Sequence, residues 1–239
     1  PSVITVGAVN AYGTDIRSDD TVATFSSRGP TRGYKTLANG ARKYDNLIKP
    51  DLVAPGNKLI APQALGTGIL DPLTGFTNYK NKLVSDYPTL PVTQYVNTGL
   101  GVNLKGYQYL SGTSMSAPVV SGAVALILQV RPSLTPNLVK AILMYSAQPM
   151  RGYNTLEQGA GQLNVDGAVR IAKIVNATLP TKNGNSMLSA PLPASQTSII
   201  AGETVAWGKS VVTNFGILSG NDLMIKYQGM YKNGVLVGD

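Results

Sequence analysis

Ser111-Gly112-Thr113-Ser114-Met115-Ser116-Ala117-Pro118 joins a short strand-like run, Tyr107-Gln108-Tyr109-Leu110, to a long apolar one, Val119 to Val130. The long run carries Val119, Val120, Ala123, Val124, Leu126, Ile127 and Leu128 nearly all round a helix, which predicts a buried helix rather than an amphipathic one. Arg131-Pro132 ends it. A serine at such a strand-to-helix turn has two uses. As a cap, its hydroxyl accepts from a first-turn N–H, the commonest reason for a serine at a helix start. As a nucleophile, it stands where the first N–H groups are unpaired and the helix dipole is positive. Both would favour the oxyanion formed when serine attacks a carbonyl, with the N–H of Ser114 as one donor. Gly112 lets the backbone pass close to a substrate. Pro118 falls in the first turn, where its missing N–H costs little. Local geometry leaves both uses open.

Upstream, Val3-Ile4-Thr5-Val6-Gly7-Ala8-Val9 is continuously apolar and β-branched, as in a parallel-sheet strand buried on both faces. Thr21-Val22-Ala23-Thr24-Phe25 is a second strand candidate, stopped by the loop Ser26 to Pro30. Residues 31–49 are polar and basic, a surface excursion. Pro50 to Gly56 is a short strand running into a turn, and Leu59-Ile60-Ala61 is another candidate. Residues 64–106 are rich in Gly, Asn, Thr and Tyr without periodicity, a long insertion of the kind that is often functional. Tyr79, Tyr87, Tyr95, Tyr107 and Tyr109 in and beside it either line a substrate cleft or pack a loop that has little core of its own.

Downstream, Thr135-Pro136 starts a second helix with Thr135 as N-cap and Pro136 at the first position. Leu138, Val139, Ile142, Leu143 and Tyr145 give it one core-facing side. Gly159-Ala160-Gly161 turns into Gln162 to Val165, and Asp166 is placed to cap a last helix from Gly167 to about Val175. Residues 176–196 have a linker composition, with a glycosylation triplet at Asn176-Ala177-Thr178. Residues 197–239 hold short strand candidates, among them Met224 to Tyr227, and read as a partial β-rich module with Trp207 as its core.

Composition excludes several classes. Hydrophobic residues at 43% support a folded core, and charged residues at 13% are about half the usual ~25%. The net charge is +8, but its densest stretch, Arg28 to Lys49, is scattered and not a stripe, so no nucleic-acid partner is expected. There is no cysteine, hence no disulfide and no thiolate metal site. No unbroken apolar run of membrane-spanning length occurs, so no span is expected. There is no histidine, so no imidazole base can come from this chain. Pro1 opens directly into a strand-like run without a signal sequence, as expected of a chain that starts inside a domain.

The wording of the serine turn closely resembles the nucleophile motif of the subtilisin-like serine peptidases, Gly-Thr-Ser-Met-Ala-x-Pro, with Ser116 in place of the usual Ala and Val119 where many members carry a histidine outside the triad. Pro1 to Ala8, Phe25 to Pro30, Lys49 to Gly56, and Gly159 through Val165 match further signatures of that family in order. The resemblance covers residues 1–175, with insertions at 31–48 and 64–106. It implies the C-terminal part of a subtilisin-like three-layer α/β fold with a mostly parallel sheet, followed by the 176–196 linker and the 197–239 module. It also implies an endopeptidase with Ser114 as nucleophile and Gly112 and Thr113 in the oxyanion and substrate loop. The family's triad has the order Asp, His, Ser, with an Asn as second oxyanion donor. Only Ser114 maps onto this chain, so the other groups are expected from a region upstream, and the isolated chain is expected to be inactive. The resemblance further implies a secreted protein acting on polypeptides, with no cofactor needed for chemistry. It leaves room for a structural calcium, with Asp51 beside a weak cation site. Asp15, Asp19 and Asp20 have an acidic spacing but lack the rest of a calcium loop, and read as a solvated turn.

Two other readings remain open on sequence. A sedolisin-type peptidase would use a glutamate base, but only Glu157 and Glu203 occur, neither in a matching position. A catalytically dead relative would use the same fold as a binding module.

Overall fold

The computed structural model describes residues 3–62, 82–92 and 107–232. In chain order the elements are β1 (Val6–Asn10), β2 (Thr21–Val22), β3 (Tyr34–Thr36), β4 (Arg42–Tyr44), β5 (Leu52–Pro55), β6 (Leu59–Pro62), α1 (Lys82–Asp86), β7 (Tyr107–Leu110), α2 (Thr113–Val130), α3 (Pro136–Ser146), α4 (Thr155–Gln158), α5 (Val165–Ile174), β8 (Thr197–Ile200), β9 (Glu203–Ala206), β10 (Ser210–Val212), β11 (Ile217–Ser219) and α6 (Asp222–Ile225), closing with a 3₁₀ turn at Gly229–Tyr231. They fall into two compact units: one made of the residues up to Asn57 and from Gly112 on, the other Lys58–Ser111.

In the first unit, β1 pairs in parallel with β5, Val6 opposite Leu52 through Val9 opposite Pro55, and antiparallel with β2. Gly7, Ala8 and Val9 are buried on consecutive positions, as the unbroken apolar run requires of a strand covered on both faces. The Gly159–Leu163 segment lies along the other edge of β5. Ala160 N–H donates to Asp51 O at 2.9 Å, Val53 N–H to Gly161 O at 2.9 Å, and Leu163 N–H to Val53 O at 2.8 Å. Both glycines are needed there. Gly159 sits at φ 63° and Gly161 at φ 125°, and a Cβ on either would lie 2.3 Å from a backbone oxygen of the neighbouring segment.

The two long helices exchange the burial expected of them. α3 is buried at every position from Asn137 to Ser146, because α5, β10 and the 3₁₀ turn surround it. Its predicted cap is present: Thr135 Oγ1 accepts from Leu138 N–H, with Pro136 at N1. α2 buries only the stripe Ser116, Val120, Ala123 and Ile127 against β1, β5 and α5. Leu126 on the opposite side is 48% exposed. An apolar sequence all round a helix shows that the helix can be covered, not that the described residues cover it. At 18 residues and a mean hydropathy of 1.5, α2 is also long and apolar enough by composition to cross a membrane. Ser and Gly residues interrupt its apolar run, which is why no unbroken run of that length stands in the sequence. Here α2 is a helix packed on a sheet.

The expected linker and β module differ from what forms. Met187 is fully buried, Asn176 N–H donates to Met187 O, and Ser189 N–H to Ile174 O, so residues 176–189 are strapped to the end of α5. β8–β9 and β10–β11 are two separate hairpins, and Met224–Ile225, expected in a strand, lies in α6. Trp207, Val211, Val212, Met224, Tyr227 and Tyr231 join the same core as α2, α3 and α5. These apolar residues are too sparse for a core of their own, and they complete that of the helices instead. Asn164, not Asp166, caps α5 by accepting from Gly167 N–H. Ser198 Oγ, fully buried, accepts from Trp207 Nε1 and Asn164 Nδ2 and donates to Asp166.

In the second unit, β6 pairs antiparallel with β7, Leu59 opposite Leu110. Tyr87, Tyr107 and Tyr109 are exposed rather than packed inward. Tyr79, Tyr95 and most of the 64–106 insertion lie outside the described residues.

Candidate active site

The serine turn is held to the end of β5 by two glycines. Gly112 is the N-cap of α2 at φ 150° and ψ 160°. A Cβ there would meet nothing nearer than Met115 Sδ at 3.5 Å, so the demand for glycine is conformational. Its N–H donates to Gly56 O at 2.7 Å, and its own carbonyl accepts from Met115 N–H at 3.0 Å. Gly56 is required for a different reason: a Cβ there would sit 2.1 Å from Ser116 Oγ and 2.9 Å from Ala8 Cβ. Ser116 is fully buried and donates to Ala54 O at 3.1 Å, a hydroxyl anchor between the first turn of α2 and β5.

The other side of this turn faces outward. Thr113 is half-buried and Ser114 exposed. Among the described residues the Ser114 hydroxyl has no hydrogen-bond partner, and Gly112 has no side chain with which to cap the first N–H groups. The capping use of Ser114 is therefore not realised. What remains is an exposed hydroxyl at the positive end of an 18-residue helix, with open N–H groups beside it and no imidazole in the chain.

Residues 1–169 match the sequence profile of the subtilase family. The chain belongs to that family. Serine protease AprX of Bacillus subtilis (strain 168) is 34% identical over 169 residues, 70% of this chain and 29% of that one. Subtilisin-like protease SBT1.9 of Arabidopsis thaliana is 29% identical over 157 residues, 66% and 16% of the two chains. The subtilase chain thus spans less than a third of these curated relatives. Among solved structures, fervidolysin from Fervidobacterium pennivorans, a keratinolytic enzyme related to subtilisin, aligns with a TM-score of 0.45 and 25% identity over 78% of this chain and 21% of that one.

Several other candidates are committed elsewhere. Asp51, expected beside a weak cation site, is a correction. Its Oδ1 lies 2.7 Å from Lys49 Nζ, and its Oδ2 lies 2.9 Å from Lys140 Nζ and accepts from Thr5 N–H at 2.7 Å. A metal ion there would meet two ammonium groups, which already supply the positive charge. Lys140 is buried and also donates to Val3 O at 2.9 Å. Burial pulls its pKa below the usual lysine range, with the Asp51 charge opposing. Glu157 closes the capping box of α4 and pairs with Arg28 at 2.6 Å. Glu203 accepts from the N–H groups of Arg17 and Ser18. Neither glutamate is placed with Ser114 as a base.

Sequence reasoning missed Gly56 and the anchoring role of Ser116. The available signal was a hydroxyl on the otherwise apolar inner stripe of α2. It also took the Asp15–Asp20 segment for a solvated turn. Asp20 is instead half-buried and accepts from Gln162 Nε2 at 2.5 Å. Burial raises its pKa above the usual carboxylate range, with that hydrogen bond and Arg17 opposing.

Proposed function

We propose that this chain is the nucleophile-bearing part of a secreted serine endopeptidase. Ser114 Oγ attacks a peptide carbonyl and forms the acyl-enzyme, and the Ser114 N–H is one oxyanion donor, in the loop formed with Gly112 and Thr113. The proton of Ser114 passes to a histidine supplied by a region of the same protein upstream of this chain, and from it to the leaving amine as the C–N bond breaks. An aspartate and an oxyanion asparagine come from the same region. The observation that carries this reading is the exposed, uncapped Ser114 on the pinned turn of a subtilase chain that has no histidine. The exposure of Leu126 on the outer side of α2 supports a further segment packing there. The chemistry needs no metal, and a structural calcium would sit elsewhere than at Asp51.

The test is fluorophosphonate labelling and casein cleavage by the full-length protein and its Ser114→Ala variant. Labelling and cleavage by the wild type, both lost in the variant, are expected. The 239-residue chain alone should retain almost nothing, since loss of the base costs about 10⁶-fold in turnover, as in subtilisin. A full-length protein that neither labels nor cleaves would favour the non-catalytic binding module. Cleavage that survives Ser114→Ala would remove Ser114 from the chemistry.

A further inference from the structure

Among the described residues nothing covers the β3–β4 hairpin: all six of its strand residues are exposed, so neither face is buried. A two-stranded hairpin of this kind is marginal by itself, and backbone hydrogen bonds hold it at both ends. At the base, Thr31 N–H donates to Leu47 O at 3.0 Å and Asp45 N–H to Gly33 O at 2.8 Å. At the tip, Leu37 N–H donates to Ala41 O at 2.8 Å and Gly40 N–H to Leu37 O at 2.9 Å. From Thr31 to Tyr44 the chain carries Arg32, Lys35, Arg42 and Lys43 and no acidic residue. None of the four is in an ion pair among the described residues. Lys35 stands directly opposite Lys43, a like-charge pair that works against the hairpin. Asp45, at the base, is the nearest acidic residue along the chain, and its Oδ1 accepts from Thr31 Oγ1 at 2.7 Å. The Arg42 guanidinium lies over the Tyr34 ring instead, 4.5 Å from its centroid. Charge set against itself and left without a counter-charge calls for an anionic partner.

The register orders the hairpin by depth. Leu37 and Ala41 close the tip, and Leu37 is exposed there. Thr36 and Arg42 come one pair behind them, Lys35 and Lys43 two, Tyr34 and Tyr44 three. At about 3.3 Å per residue the cations of these pairs start within about 7 Å of the tip pair, and the tyrosines at about 10 Å. Side chains alternate along a strand, so Arg42 belongs to one face and Lys35 and Lys43 to the other. A linear anion lying along either face would reach only part of this charge. A stacked base or sugar ring would need an open aromatic platform, but Arg42 covers Tyr34, and Tyr44 is tilted 59° to it. An anionic surface met end-on by the tip reaches all three cations at once. The headgroup layer of a bilayer is about 5–7 Å deep on each side, the depth of this girdle. We propose that the β3–β4 hairpin is a peripheral membrane anchor. Its tip, Leu37-Ala38, enters the surface of an anionic lipid bilayer, and Lys35, Arg42 and Lys43 meet the lipid phosphates. Each cation near such a surface strengthens binding about fivefold, so the three together favour anionic over neutral lipid about a hundredfold.

Neither Ser114 nor the proposed peptidase activity enters this inference, and its test is made without turnover. The full-length protein carrying Ser114→Ala is sedimented with vesicles of equimolar phosphatidylglycerol and phosphatidylcholine, and with vesicles of phosphatidylcholine alone. Binding to the anionic vesicles that weakens as salt is added, and much weaker binding to the neutral ones, are expected. Replacing both Lys35 and Lys43 by Ala should lower the partition coefficient about 25-fold. Leu37→Ser keeps the charge and should lower it about threefold to tenfold, the share of a leucine that is already partly covered. These side chains are exposed, so the variants should fold, and urea midpoints read from Trp207 emission check that they do. Absent binding to the anionic vesicles, equal binding to the neutral ones, or an unchanged partition coefficient in both variants would overturn the proposal. A loss in the lysine variant with none in Leu37→Ser would overturn it as well, since the tip would then not enter the bilayer. Capture of polyglutamate or duplex DNA through the same lysines, without vesicle binding, would assign the hairpin to a soluble polyanion instead.

Discussion

Asp51→Asn tests whether two lysines are held in place by one buried carboxylate. The side chains of Asp51 and Lys140 are 1% and 2% exposed, with 2.9 Å between Oδ2 and Nζ, and Lys49 Nζ is 2.7 Å from Oδ1. Asparagine keeps an oxygen for Thr5 N–H but removes the charge. Lys140 is then left buried without a counter-charge, with Val3 O and the amide oxygen as its acceptors. Removing one partner of a buried pair costs about 3–5 kcal/mol. Lys140→Met is the informative contrast, because it leaves Asp51 paired with Lys49 and still accepting from Thr5 N–H. Its cost should stay below about 2 kcal/mol, near that of one charged hydrogen bond. The double variant should be more stable than Asp51→Asn alone, since the unpaired ammonium is gone.

Urea unfolding of the 239-residue chain, followed by fluorescence of its one tryptophan, reads this directly. Trp207 is 3% exposed and packed in the same core. With a slope of about 3 kcal/mol/M, Asp51→Asn should lower the midpoint by about 1 to 1.7 M. The pH dependence has a definite sign. Burial already holds the Lys140 pKa below 10.5, and loss of Asp51 removes an opposing pull. Between that lowered value and 10.5 the unfolded chain binds the proton that the folded chain has released, so stability rises with pH there. The deficit of Asp51→Asn should shrink as pH is raised toward 10.5. A Lys140→Met cost equal to or larger than that of Asp51→Asn, or a double variant whose loss is the sum of the two, would refute the reasoning.

Three further outcomes are expected. Gly56→Ala places a Cβ 2.1 Å from Ser116 Oγ and should displace the nucleophile turn, lowering both the melting temperature and the fluorophosphonate labelling of the full-length protein; adding Ser116→Ala should restore part of each, because the nearest clash is removed while Ala8 Cβ at 2.9 Å remains. Asp20 has a raised pKa, so between pH 3.8 and its folded value the folded chain holds a proton that the unfolded chain has lost, and its contribution to stability falls as pH rises through that window; Asp20→Asn should flatten this limb in a pH series of urea midpoints and raise stability at neutral pH. Ser198→Ala leaves the buried Trp207 Nε1–H and Asn164 Nδ2 without an acceptor and should cost about 1–3 kcal/mol, with a shift in the tryptophan emission; a loss within about 0.5 kcal/mol would show that this hydroxyl does not organise the core.

What was legible in the sequence was local. Thr135-Pro136 at the start of α3 and the Gly159–Gly161 turn each follow from a few adjacent residues whose backbone has little choice, whereas Gly112, read as room for a substrate, is needed for its positive φ. β1 and β5 were each legible as strands, but not their pairing. What stayed hidden depends on partners far away in the chain. Gln162 and Asp20 are 142 residues apart, and Lys140 reaches back 137 residues to Val3, so neither Asp20 nor Asp51 announces its environment. The helices show the same limit from the other side. Periodicity records which faces are apolar and not what covers them, and so α2 and α3 exchanged the burial predicted for them. The C-terminal segment was misassigned for a related reason: Met187, Trp207 and Val211 are spaced like a weak module and are in fact single contributions to a larger core.

The two sides of α2 separate positioning from catalysis. The inner stripe, from Ser116 to Ile127, is fixed by β1, β5 and α5, and the Gly56–Gly112 contact sets the height of the turn above β5. None of this involves the outer side. The place of Ser114 is therefore determined by residues of this chain whatever packs against Leu126, and the helix end delivers its open N–H groups in the same stroke. A hydroxyl so placed is still a poor nucleophile without a base, because its own proton has nowhere to go. On the proposed function, a division of this kind, with the nucleophile and one oxyanion donor on one rigid turn and the proton acceptor on another segment, would make activity conditional on the second segment docking. Leu126, exposed on the outer side of α2, is apolar surface that such docking would bury. Association of the two parts and assembly of the catalytic machinery would then be a single event.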